Sequence, residues 1–197
     1  MKTEILRYLK EADGYISGQE LCERFQVSRT AVWKVVRQLE AEGYEIEAVR
    51  NRGYRLKTAG DILSQAEILS SIRGSWAGRE ILYLDEVDST NTAAKKAAEN
   101  GAVHGTLVVS ERQTGGKGRR GRAWDSPRGT GIFMTLILRP NMAPVHASML
   151  TLVAALAVAD GIRECTGAES LIKWPNDIVM SGKKICPILS QPIKFVP

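Results

Sequence analysis

Apolar residues recur along the first part of the chain at the spacing of short helices. Ile5, Leu6 and Leu9 share one face of a predicted N-terminal helix. The stretch Ser17-Gly18-Gln19-Glu20 has the Ser-x-x-Glu form of a capping box and is followed by Leu21, Cys22 and Phe25. After a break at Gln26-Val27-Ser28, residues 29–43 put Val32, Val36 and Leu39 on one face, and Gly43 suits the helix exit. Trp33, in the same helix, is expected to pack into the core rather than touch a ligand. Residues 44–56 then alternate about Asn51-Arg52-Gly53, as a β-hairpin does.

Three helices and a hairpin predict a winged helix-turn-helix over residues 1–57, followed by a linker at 58–64 and a second domain over 65–197. In that second domain the pattern predicts a helix near 61–72, a strand at 80–87 and a helix at 90–100. A strand at 106–111, a Gly/Arg-rich loop and a strand at 131–140 come next. A long apolar helix near 144–166, a strand around 170–174 and a hairpin about 181–184 complete it. Several neighbouring strands are joined only by loops, which points to an α+β fold with a mixed sheet.

Composition adds bounds. With 197 residues, 44% hydrophobic, the chain can bury a core and fits one or two domains. The formal net charge of +5 hints at an anionic partner. Lys2, Glu4, Arg7 and Lys10 interrupt the N-terminus, which does not read as a secretory leader. The longest strongly apolar run, 149–159, is shorter than the about 20 residues that span a bilayer, so no membrane partner is expected. Cys22, Cys165 and Cys186 are odd in number, and a reduced, cytoplasmic protein is the expectation.

In a helix-turn-helix the second helix enters the major groove with its N-terminal side chains toward the bases. Here it would begin at Ser28 and present Arg29, Thr30 and Lys34. The hairpin carries Arg50, Arg52, Arg55 and Lys57 against Glu45 and Glu47, a cationic surplus suited to phosphates. A DNA reader is expected; a surface for protein contact is the alternative.

The loop 112–124 contains Gly116, Gly118 and Gly121 in a G-x-G-x-x-G arrangement. A dinucleotide fingerprint would need a helix opening at those glycines and an acid about 20 residues later. Pro127, Gly129 and Gly131 prevent the helix, and residues 132–145 hold no Asp or Glu. No Gly-Lys-Ser/Thr closes a P-loop either. What remains is a glycine backbone bearing Lys117, Arg119, Arg120 and Arg122, suited to phosphate or carboxylate oxygens. Asp88-Ser89-Thr90-Asn91 falls where a strand hands over to a helix and can cap it or bond a small polar ligand. Lys173-Trp174-Pro175-Asn176-Asp177 with Lys183 and Lys184 across a turn forms a third segment.

Together, 88-DSTN-91, 116-GKGRRGRAW-124, 173-KWPND-177 and 182-GKKI-185 resemble the biotin protein ligases. With a helix-turn-helix in front, the chain is similar to the bifunctional kind that also represses biotin operons. The resemblance implies that biotin and ATP, with Mg2+, give biotinyl-5′-AMP and pyrophosphate, and that the acyl group then passes to a lysine of biotin carboxyl carrier protein. It implies that Ser89, Thr90 and Asn91 line the biotin pocket, with Ser89 and Gln113 bonding the cyclic urea. Gly116, Lys117, Gly118 and Arg119 would order over the adenylate, and Arg119 would help retain it. Lys184 would meet the biotin carboxylate and α-phosphate, Trp124 would pack near adenine, and Asn176 and Asp177 would sit near the metal and phosphates. No direct protein ligand to a metal is expected. The same loop ordering would favour a homodimer that grips a two-fold operator, with the adenylate as corepressor. The family continues with Gly-Ile-Leu and a small C-terminal barrel where this chain has 187-PILSQPIKFVP-197, so a C-terminally truncated ligase domain is expected. The alternative is a DNA-binding regulator whose ligase domain senses ligand or dimerises without catalysis. Lipoate attachment is disfavoured by the Lys-Trp-Pro-Asn-Asp set.

Overall fold

The computed structural model of the chain describes residues 1–58, 61–118 and 121–192. Helices α1 (Lys2–Glu11), α2 (Gly18–Phe25) and α3 (Arg29–Ala41) precede an antiparallel pair, β1 (Glu45–Val49) and β2 (Gly53–Thr58). Ser17 caps α2 by accepting the Glu20 backbone N–H at 3.0 Å, and Ser28 caps α3 by accepting that of Ala31 at 3.2 Å. These caps fix where each helix begins, and the apolar stripes then close one core. It holds Ile5, Leu6, Leu9, Leu21, Val32, Val35, Val36, Leu39, Tyr44 and Ile46. Ile16, between α1 and α2, pairs with Tyr54 of β2 and so anchors the hairpin to the helices. Gly53 permits this approach: a side chain there would lie 2.0 Å from the Ile16 carbonyl oxygen, and its φ is +108°.

Helix α4 (Gln65–Ser71) packs on this helical unit: Ala66 lies in its core, and Arg7 donates to the Ser70 and Leu69 carbonyls at 3.0 and 2.6 Å. Lys10 pairs with Glu67, which also accepts from the Tyr44 hydroxyl at 2.8 Å. Toward the rest of the chain, Gln65 donates to the Ile81 carbonyl at 3.4 Å.

Strands β3 (Ile81–Leu84), β4 (Leu107–Ser110) and β5 (Phe133–Leu136) form a mixed sheet, β3 parallel and β5 antiparallel to β4. Helix α5 (Thr90–Glu99) covers one face through Ala94 and Ala98, against Val108 and Ile137. Small residues let the helix lie close to the sheet. After a short 3-10 turn at Pro144–His146 comes α6 (Met149–Thr166), ended by Gly167 in a left-handed conformation. Strands β6 (Leu171–Lys173), β7 (Asp177–Met180) and β8 (Lys183–Pro187) form a second, antiparallel sheet. The expected turn at Ser181-Gly182 joins β7 to β8, and Pro187 ends β8, where its missing N–H costs the ladder least.

The order of elements thus agrees with the α+β reading, a helix-turn-helix unit followed by mixed-sheet structure. Two expectations are corrected. Trp33 does not pack into the core; it is 50% exposed, because Val32, Val35, Val36 and Leu39 already occupy the inward face of α3. The apolar helix also exceeds the short run 149–159. Within the 23-residue segment Pro144–Thr166 an 18-residue window reaches mean hydropathy 1.7, long and apolar enough by length and composition to cross a membrane, with 6% of that window buried. Alanines between the larger residues extend its hydropathy, while Asp160, Arg163 and Glu164 charge its last turns.

Candidate functional site

The site grows from the junction of β3 and α5. Ser89 is the N-cap of α5 and is buried, as is Thr90, but the Ser89 side chain makes no capping bond. The carboxylate of Asp88 instead accepts the Ser89 N–H at 2.6 Å, and Gln113 takes over the helix start. Its Oε1 accepts from the Thr90 N–H at 2.8 Å and from the Thr90 hydroxyl at 3.1 Å. Its Nε2 donates to Ser126 Oγ at 3.1 Å, which fixes the amide orientation. Thr135, on β5, reaches back to Thr90 Oγ1 at 3.0 Å and Asn91 Oδ1 at 2.8 Å. Thr135 follows from the register that sets it opposite Val108.

The glycine-rich segment folds back on itself. The Trp124 N–H donates to the Gly116 carbonyl at 2.9 Å, the Gly118 N–H to that of Arg122 at 2.7 Å, and Lys117 bridges Ala123. Gln113 itself bridges Val87 on one side and Ser126 on the other, so the loop's base is stitched to the start of α5. Among the described residues no α-helix opens at the glycines. Arg119 falls outside the described residues, as does Arg120. Beyond the loop, Arg128 donates to Asp85 at 2.5 Å, and this contact holds the Asp85 carboxyl below its usual range.

Lys184, on β8, comes to this loop from the second sheet. Its ammonium lies 5.6 Å from the centre of the Trp124 ring and 2.9 Å from Asp177 Oδ1. That contact is ionic rather than a directed hydrogen bond, and the buried Oδ1 has no donor aimed at it among the described residues. Burial, reinforced by the Asp177 charge, pushes the neighbouring Cys186 thiol up from its ordinary value. Asn176, also buried, donates through its amide to the Ile188 carbonyl at 3.1 Å and so ties the chain after β8. An unbroken series of contacts therefore runs Asn91, Thr135, Thr90, Gln113, Ser126, Trp124, Lys184, Asp177. Ser126 and Thr135 carry no motif and were not singled out from the sequence. Among the described residues, no group of three or more His, Cys, Asp or Glu could hold a metal. A cation carried on a polyphosphate, needing one or two protein oxygens, fits such a site better than a caged one.

A second candidate surface lies on the helical unit. Ser28, Arg29, Thr30, Lys34 and Arg37 are exposed along α3, and Arg50 and Arg52 at the hairpin tip. The guanidinium carbons of Arg52 and Arg55 stand 4.5 and 4.9 Å over the Tyr15 ring, which braces the hairpin cations. Arg29 donates to Gln19 of α2 at 3.1 Å.

Comparison with known proteins finds two families along the chain. An HTH domain family matches residues 2–55, and the biotin/lipoate A/B protein ligase family matches residues 83–195. The bifunctional ligase/repressor BirA of Bacillus subtilis is 43% identical over 192 residues, covering 97% of this chain and 59% of that protein. BirA of Escherichia coli is 30% identical over 175 residues, 89% of this chain and 53% of that protein. The chain thus spans little more than half the length of these relatives. Among solved structures, the biotin protein ligase of Aquifex aeolicus in complex with biotin and ATP superposes with a TM-score of 0.53 at 35% identity. That match covers 59% of this chain and 48% of the other.

Proposed function

The chain belongs to the biotin/lipoate A/B protein ligase family, and from that premise we propose that it is a biotin protein ligase that also acts as a biotin-responsive repressor. Biotin and ATP, with Mg2+, would be its substrates. The observation that carries this reading is the meeting of Lys184 with Trp124 at the loop whose base is locked to Thr90, at the start of α5, through Gln113. In the first step a biotin carboxylate oxygen attacks the α-phosphorus, the bond to the pyrophosphate oxygen breaks, and biotinyl-5′-AMP forms. Two anions must approach each other, and Lys184 with the loop cations Lys117 and Arg119 offsets their repulsion. Asp177 holds Lys184 ready, and Trp124 offers a flat apolar face for a purine. Ser89, Thr90, Asn91 and Gln113 supply the donors and acceptors that a cyclic urea needs. In the second step the amine of a carrier-protein lysine attacks the acyl carbon and AMP leaves.

The helical unit would bind operator DNA through Ser28, Arg29, Thr30 and Lys34 on α3 and Arg50 and Arg52 on the hairpin. Ordering of the loop around the adenylate would favour a homodimer, making the intermediate a corepressor. We assign residues 1–57, with α4 docked on them, to the DNA-binding unit and the part that follows to the ligase, in place of the boundary at residue 65 expected from the sequence, and expect a cytoplasmic protein.

The test is direct. Purified chain with biotin and MgATP is expected to release pyrophosphate and to label a biotin carboxyl carrier domain, and Lys184→Ala or Arg119→Ala to depress both by at least about tenfold. Absence of both products in the parent chain overturns the catalytic reading. A second reading, a ligand-sensing regulator without turnover, is favoured by the bareness of α6, whose Met149, Val153 and Leu156 are exposed. It predicts biotin binding by calorimetry and DNA retention with no pyrophosphate.

A further inference from the structure

We propose that Trp33 is a base-reading side chain, whose indole contacts the C5-methyl group of a thymine in the major groove. The inference rests on the DNA-binding reading above and names a contact within it. Helix α3 is the second helix of the helix-turn-helix, and Trp33 lies in its N-terminal half, the part that meets base edges. Its position in the helix is decisive. Arg29, Thr30 and Arg37 are its neighbours at helical spacing, Lys34 follows it in the chain, and all four are exposed. The opposite face is filled by Val32, Val35, Val36 and Leu39, so rotation of the helix cannot bury the ring.

Trp33 is a half-exposed indole set among cations. The cations match a phosphate-lined groove, and the ring supplies what they lack, an apolar contact that tells thymine from cytosine. The Arg37 guanidinium lies 5.5 Å from the ring centre while also donating to Glu40 at 2.9 Å. That contact braces the indole from its C-terminal side, and leaves its N-terminal side toward Arg29 and Thr30 for the base. Lys and Arg contacts to phosphate would supply affinity for any sequence; Trp33 would supply preference.

The experiment uses the full 197-residue chain and a pool of randomised duplexes, enriched at low salt. Wild-type protein is expected to enrich a motif containing a fixed thymine. Trp33→Ala should bind the enriched duplex about tenfold or more weakly, yet bind unselected duplex with unchanged affinity and salt dependence. Replacing that thymine by deoxyuridine, which removes only the methyl, should weaken wild-type binding about fourfold and leave Trp33→Ala indifferent. Trp33→Phe, which keeps an apolar ring, should retain part of the thymine preference. Circular dichroism should be the same for all three proteins, since the side chain stands outside the core. Equal affinity of Trp33→Ala and wild type for the enriched duplex overturns the assignment. So does an equal loss on selected and unselected DNA, or equal sensitivity of both proteins to deoxyuridine. Failure of the wild type to retain any duplex is a different result, and it removes the DNA-binding reading together with the contact.

Discussion

A methyl group added at Gly116 would lie 2.4 Å from the Trp124 carbonyl oxygen and 2.8 Å from Ser126 Oγ. Neither can retreat freely, because one is backbone and the other is buried and bonded to Gln113. Gly116→Ala is therefore expected to pry the loop from its base and weaken biotin binding about a hundredfold by calorimetry, the scale of an ångström-sized misplacement. Gly131→Ala is the control: among the described residues its added carbon meets nothing nearer than 3.5 Å, and its affinity should stay within about threefold of the parent. Equal effects of the two would remove the steric argument. At this scale the sequence drew attention to Ser89 and Lys184 through their motifs, with Gln113 added only by the family resemblance. It was silent on Ser126 and Thr135, whose roles come from strand register, and it misled on Trp33. An apolar side chain reads as a core residue until the angle around the helix is known, and four other apolar residues fix that angle.

Tyr44 opens β1 at its buried end and joins it to α4 through Glu67. Burial pushes its phenol well above the ordinary tyrosine value, and the charge on Glu67 adds to this against the opposing contact from Ser64. A raised folded-state pKa means that the folded chain holds the proton more tightly than the unfolded one. The stabilisation is complete below the unfolded value near pH ~10 and declines as pH rises beyond it. Urea unfolding followed by circular dichroism should thus show a falling midpoint above pH ~10. Tyr44→Phe should cost about 1 kcal/mol at neutral pH through the lost bond to Glu67 and make the alkaline decline shallower. An unchanged alkaline slope in that variant would count against the role of Tyr44. The elements themselves were largely legible, since capping serines, a turn at Asn51 and breaks at glycine punctuate the periodic runs. What the patterns did not disclose was which elements adhere: nothing local in Gln65–Ser71 says that it docks on α1.

For the molecule as a whole, the two units were separable in the sequence because a helical period gives way to strands joined by loops. Their sheets were not, since pairing partners such as β4 and β5 lie on either side of a long loop. The attachment of α4 bears on how the units move. On one side it is gripped by Arg7, Lys10, Tyr44 and a buried Ala66; on the other, among the described residues, Gln65 reaches β3 through one weak bond of 3.4 Å. Few contacts mean low local stability, so opening should begin at the weaker side. Arg73 and Arg79 are exposed in the irregular stretch between α4 and β3. Brief trypsin treatment is expected to cut there first and to release an N-terminal fragment that keeps α4, read by intact mass. Initial cutting at Lys57 would refute this. The swivel of the molecule then lies after Ser71 and not in the stretch before Gln65, so α4 rides as cargo with the helices it grips. Apart from the Gln65 bond, any torque between the mixed-sheet part and the proposed DNA-binding surface would pass through the nine residues 72–80.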